Sequence, residues 1–161
     1  MPYAHRSGIC DADTHMMERP DWLAEFADAA IRPKLFDGGL ERFPGLRIAV
    51  VEMGAAWIIS FIKHIDQSFR AFRRLQDLSD LSLKPSEYIL RQVKVTPFAG
   101  EDVGWILASG GEDLLMFASD YPHHKGTDDP MNRFERTLER TPDTVKQKFY
   151  TDNFADFVPA R

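Results

Sequence analysis

Leu46-Arg47-Ile48-Ala49-Val50-Val51-Glu52 is the stretch on which the reading of the fold turns. It is mostly aliphatic and β-branched, and it lies between Pro44-Gly45 and Gly54. An apolar run of this length reads as a strand buried on both faces, as in a parallel sheet covered by helices. The acid that ends it, Glu52, is costly to bury without a partner. It therefore either meets a cation or a proton-transfer partner, or reaches solvent at the strand tip.

Outward from this run, three more short strands are predicted at Gly8 to Asp13, Val93 to Thr96 and Leu114 to Ser119. Pro97 stops the third, and Asp120 follows the fourth. Between them lie longer amphipathic segments. In residues 57–78, Ile58, Phe61, Ile62, Ile65, Phe69, Phe72 and Leu75 recur at helical spacing, with Lys63, Asp66, Arg70, Arg73 and Arg74 mostly opposite. That pattern predicts a long helix packed on a sheet. Pro20-Asp21 opens a small helix. A further helix runs from Glu101 to Ser109 and closes at Gly110-Gly111. Asp129-Pro130 and Thr141-Pro142 each set a capping residue before a proline, which predicts helices over 131–140 and 143–150. Strands alternating with helices make this an α/β chain.

At 161 residues the chain reads as one domain, 1–161, too short for a complete (β/α)8 barrel of about 250 residues. A hydrophobic fraction of 43%, with 12 Phe, supplies a core. The charge balance, 20 basic against 25 acidic residues, lacks the basic footprint of a nucleic-acid binder. Ala55 to Ile59, the longest near-continuous apolar run, is far short of the roughly 20 residues that span a bilayer. Cys10, the single cysteine, excludes an internal disulfide and a Cys-rich zinc module. The N-terminal residues carry one Arg with no apolar stretch after it, so no signal peptide is expected, and a cytoplasmic location is the default.

Three of the four predicted strands end in carboxylates, at Asp13, Glu52 and Asp120. In parallel α/β folds the active site gathers at the C-terminal ends of the strands. Asp13-Thr14-His15 sets a carboxylate and an imidazole at i and i+2, on one face of an extended chain, where both can reach one divalent cation. The other reading makes Asp13 a turn cap and His15 a surface residue. Asp120, in Ser119-Asp120-Tyr121-Pro122-His123-His124, is a ligand, a base or a loop cap, and the histidines are ligands or solvated. Arg70, Arg73 and Arg74 read as a solvated helix face, and Cys10 has no motif of a nucleophile. The chain has no Gly-rich phosphate loop, no nucleophile elbow and no kinase motif set.

Three segments resemble one family. Asp11 to Trp22 resembles the opening of the amidohydrolase-related group that includes aminocarboxymuconate-semialdehyde decarboxylase and γ-resorcylate decarboxylase. Arg42 to Trp57 resembles its sixth barrel strand, Phe117 to His123 its eighth, and Lys84-Pro85-Ser86-Glu87-Tyr88 the segment before the seventh. The resemblance implies a metal-dependent (β/α)8 barrel acting as a hydrolase or a non-oxidative decarboxylase on a small carboxylate or carbonyl substrate. It makes Asp13, His15 and Asp120 the ligands of a divalent ion, Mn²⁺ or Zn²⁺. Glu52 stands where better-known members carry a catalytic histidine, so Glu52 is the proton-transfer candidate, with His123 near the substrate and Asp120 counted among the catalytic residues as well as the ligands.

Measured against the family, strands two through five are missing between about Leu35 and Phe36, and the fifth-strand histidine ligand has no counterpart. The expectation is a truncated TIM-barrel-like fold: a first-strand segment, 1–35, joined to the C-terminal half of a barrel, 36–161. Its four or so parallel strands correspond to barrel strands 6-7-8-1, consecutive neighbours around the barrel. Two new sheet edges would expose unpaired backbone and invite association, and two copies could close one eight-stranded barrel as a homodimer. The alternative is a catalytically inactive remnant that serves as a structural or interaction module.

Overall fold

A computed structural model describes residues 39–72, 81–123 and 127–158. The predicted first strand and small helix, with Asp13 and His15, lie outside the described residues, as do Arg73, Arg74 and Leu75.

A short helix, α1 (Gly39–Arg42), leads into β1 (Ile48–Val50), the centre of the apolar run. Helix α2 (Trp57–Phe72) follows, then α3 (Pro85–Gln92), which runs directly into β2 (Val93–Val95). Helix α4 (Val103–Ile106) continues as a π-helical turn, Leu107–Gly111. Gly110, at φ 105, breaks the helical backbone inside this turn, at the glycine pair where the sequence predicts the helix to close. The chain closes with α5 (Pro130–Thr137), α6 (Asp143–Gln147), a π-helical turn (Lys148–Asp152) and α7 (Asn153–Phe157). Sequence periodicity stops at Tyr150 and misses α7. The cap expected from Thr141 is also not formed, because Pro142 itself takes the N-cap position.

β1 and β2 pair in parallel, with Ile48 opposite Val93 and Val50 opposite Val95. On the other side of β2, Val95 bridges Leu115 in parallel, through Val95 N to Leu114 O (2.8 Å) and Met116 N to Val95 O (3.0 Å). The next donor in that ladder would be residue 97. It is a proline with no N–H, so the pairing ends after one bridge. Two of the four predicted strands thus form a parallel pair, and the predicted strand over 114–119 is reduced to a single parallel bridge at Leu115 on the other side of β2.

Burial departs from expectation at β1. Ile48 and Val50 are half-buried and Ala49 is exposed, whereas all three β2 residues are buried. Among the described residues β1 has a neighbour on one side only, and that accounts for the difference. Lys94 on β2 is buried because its Nζ donates to Asp113 O at 2.6 Å and stands 3.5 Å from Asp156.

The core lies between the sheet and the later helices. Phe117 contacts Phe134, Phe149 and Tyr150 at ring separations of 5.6–6.1 Å, edge-on to both phenylalanines, an arrangement aromatic quadrupoles favour. Phe117 N also donates to Phe149 O at 2.9 Å, fixing the chain three residues before Asp120. Among the described residues of helix α2 only Ile58 and Ile59, in its first turn, are deeply buried, while Phe61 is exposed against Trp57. Asp66 of α2 caps α3 by accepting from Ser86 N (2.9 Å) and Ser86 Oγ (2.8 Å). Buried Gln92 donates to Phe43 O and Leu46 O, which locks the entry to β1. No helix among the described residues is long and apolar enough to cross a membrane.

Candidate metal centre

The two segments that flank β2, strand β1 and the run bridged at Leu115, each lead into an acid with unusual backbone. Glu52, two residues past β1, has φ 64, and Asp120 has φ 56. Left-handed conformations are uncommon outside glycine, cost of order 1 kcal/mol or more, and cluster at functional sites. Here they turn both carboxylates back toward one point at the C-terminal side of the sheet. After Asp120 the chain turns again through Tyr121 N to Ser119 Oγ (3.2 Å) and His123 N to Asp120 O (2.8 Å). That turn returns the imidazole over the acids.

His123 Nδ1 lies 3.3 Å from Glu52 Oε1 and 3.6 Å from Asp120 Oδ1. The three residues each offer a ligand atom, all within 4.8 Å of one another. Exposure is graded: the Asp120 side chain is 9% exposed, Glu52 27% and His123 39%. Two ligands about 2.0–2.2 Å from a common tetrahedral ion stand roughly 3.4 Å apart, so both separations to His123 match a shared ion. Two carboxylate oxygens with one imidazole nitrogen form a donor set suited to Mn²⁺ or Zn²⁺. The residues present fit a divalent cation.

Glu52, Asp120 and His123, all singled out in the sequence, are thus brought together. The placement of Asp13 and His15 lies outside the described residues. A groove of about 640 Å³ beside Trp105, Arg136 and Pro142 runs along helices α4 to α6 and is not lined by any of the three. The loop after β2 contributes a residue that sequence reasoning passed over as a helix start: Glu101, whose carboxylate reaches across to the loop after β1. Its sequence separation from that loop is 45 or 46 residues, and no local signal links the two.

A family model described as amidohydrolase matches residues 22–159. The chain belongs to the amidohydrolase family. No curated protein matches it significantly. Among solved structures, this amidohydrolase-family chain is similar to an amidohydrolase from Mycobacterium avium subsp. paratuberculosis K-10, at 22% identity and a TM-score of 0.64, over 87% of this chain and 36% of that one. It is similar to 5-carboxyvanillate decarboxylase from Sphingomonas paucimobilis, at 27% identity and a TM-score of 0.55, over 82% and 39%. A third is the 5-carboxyvanillate decarboxylase from Novosphingobium aromaticivorans DSM 12444, solved with manganese and 4-hydroxy-3-methoxy-5-nitrobenzoic acid, at 23% identity and a TM-score of 0.54, over 88% and 44%. The chain spans 36–44% of the length of these structures. Their barrels and the parallel strands seen here make this an α/β, TIM-barrel-like fold.

Proposed function

We propose that the protein binds one divalent cation at Glu52, Asp120 and His123 and acts as a hydrolase or non-oxidative decarboxylase on a small carboxylate or carbonyl substrate. The observation that carries this reading is the convergence of the three ligand atoms within 4.8 Å at the ends of parallel strands in an amidohydrolase-family chain. The 5-carboxyvanillate decarboxylase at 27% identity supports an aromatic carboxylate as the first substrate to try. Asp13 and His15, by the family resemblance, are the further ligands. When bound, the ion supplies a Lewis acid that polarises a carboxylate or carbonyl, or lowers the pKa of a bound water.

Each side chain takes a role that follows from its exposure. Asp120, the most buried, anchors the cation. Glu52 adds a second negative charge within 5 Å and, being partly open, is placed to exchange a proton with substrate or solvent. His123, the most exposed, faces whatever binds above the ion. The test is titration of chelated protein with Mn²⁺, followed by an assay for CO₂ release or hydrolysis on small aromatic carboxylates. Saturable uptake with turnover that Asp120→Asn removes supports the reading. Absence of uptake rejects it.

One observation favours a second reading, that of an interaction module. β1 is only half-buried and has no strand neighbour on its outer side among the described residues. An edge of this kind is a template for pairing with a second copy. Light scattering distinguishes the readings: a dimer that dissociates on Ala49→Pro supports pairing through β1, and a monomer removes it.

A further inference from the structure

Glu101 has no place in the metal centre just described, yet among the described residues its carboxylate is one of the most heavily engaged groups. It follows β2 in a tight turn closed by Glu101 N to Phe98 O at 3.0 Å. Its own oxygens accept from Phe98 N (2.8 Å), from Ala55 N (2.9 and 3.0 Å) and from Ala56 N (2.8 Å). Ala55 and Ala56 immediately precede α2, so the carboxylate satisfies amides at a helix start that has no intrahelical acceptor for them. A negative charge there also complements the helix dipole.

The clamp has a counterpart at Gly54. This residue has φ +65, and a Cβ placed on it would stand 3.0 Å from Glu101 Oε1, 3.1 Å from Oε2 and 3.0 Å from the Phe98 ring. Only glycine allows the carboxylate so close. On the far side, Trp57 Nε1 donates to Gly54 O at 2.9 Å. The clamp therefore falls on residues 54–57, and the left-handed Glu52 lies two residues before it.

We infer that Glu101 is a positioning residue: by binding the Ala55, Ala56 and Phe98 amides it holds the turn that keeps Glu52 left-handed and its carboxylate 3.3 Å from His123. It touches neither a cation nor a substrate and acts through Glu52. The functional consequence rests on the metal reading proposed above; the geometric claim does not. In Glu101→Gln one acceptor oxygen becomes an N–H donor facing amide donors, so at least one clamp bond is lost and another turns repulsive. Glu101→Asp keeps the charge on a stem one methylene shorter, and is expected to restore part of the effect.

The experiment has two readouts on the whole chain. The first is the Glu52 backbone dihedral in metal-free protein, from NMR coupling constants and the intraresidue amide–Hα NOE. The second is the Kd for Mn²⁺. The expected result is loss of the positive-φ signature at Glu52 in Glu101→Gln, with Mn²⁺ affinity falling about 10- to 100-fold, the range for residues that orient a ligand. Gly54→Ala attacks the clamp from the opposite side and should reproduce both changes if Glu101→Gln proves too unstable to study. A Glu52 dihedral that stays left-handed in the folded variants, even with a lowered melting temperature, overturns the inference and leaves Glu101 a helix cap. If the parent binds no Mn²⁺, the metal reading falls, and the dihedral alone still decides whether Glu101 positions Glu52.

Discussion

Glu52 and Asp120 stand on opposite sides of β2 in the same left-handed conformation, and His123 Nδ1 sits 3.3 and 3.6 Å from their carboxylates. Residues of this type avoid that region unless the surroundings impose it. Here two unrelated loops impose it at one point, the C-terminal side of a parallel sheet. The cost is borne where function would use it.

That strain can be separated from the chemistry. Glu52→Gly places at φ 64 the residue best suited to it, at the expense of a more flexible unfolded chain. Its unfolding free energy should stay within about 1 kcal/mol of the parent, while Mn²⁺ affinity falls. Asp120→Asn keeps a side chain that tolerates φ 56 but removes a ligand charge. It should fold and lose at least about 100-fold in Mn²⁺ affinity, measured by calorimetry. Uptake unchanged in both variants would exclude these two acids from the site.

The aromatic cluster beneath the site carries much of the stability. Phe117 is fully buried among three rings, and its backbone leads directly to Asp120. Truncation to alanine removes a large side chain from a packed interior and should cost about 3–5 kcal/mol. Against a typical total of about 5–15 kcal/mol, urea denaturation of Phe117→Ala should show a protein near its threshold. A loss under about 1 kcal/mol would mean the cluster is loosely packed.

Gly104 sets the approach of α4 to α5. A Cβ there would lie 1.9 Å from Thr137 O, a backbone atom that cannot swing aside. Helix propensity favours alanine over glycine by about 1 kcal/mol. Overpacking costs about 1–3 kcal/mol and more where backbone must move, so the clash wins. Gly104→Ala should melt several degrees below the parent; an equal or higher melting temperature would show that the two helices can part freely.

The acid limb of stability should report on Glu41. The Tyr88 hydroxyl donates to its carboxylate and is the main cause holding its pKa below the ordinary value, with further help from Ser82 and Arg91 against the opposing effect of desolvation. A carboxyl whose folded pKa is depressed contributes stability that is fully present above the unfolded pKa and is lost as pH falls through the folded one. Tyr88→Phe should therefore flatten the decline in urea midpoint as pH falls below the ordinary carboxyl value of 4.5 and through the lower folded one. A decline as steep as the parent's would assign the acid sensitivity elsewhere.

By itself the sequence determined most of the elements and their order, though not α1, α3 or α7. The β-branched run at 48–50, the apolar 114–119 and the proline at 97 carry local preferences that survive in the fold, because periodicity and missing donors are properties of neighbours in the chain. It also marked Glu52, Asp120 and His123, since acids ending apolar strands are conspicuous wherever they occur. What the tertiary structure decided was their convergence: β2 between β1 and the bridge at Leu115, two left-handed turns and one imidazole folded back across them. It decided too that β1 is half-exposed and that Glu101 clamps a loop 45 residues away. Relations of that kind depend on which surfaces meet in space, and a chain read residue by residue carries only the preferences of each surface before it meets its partner.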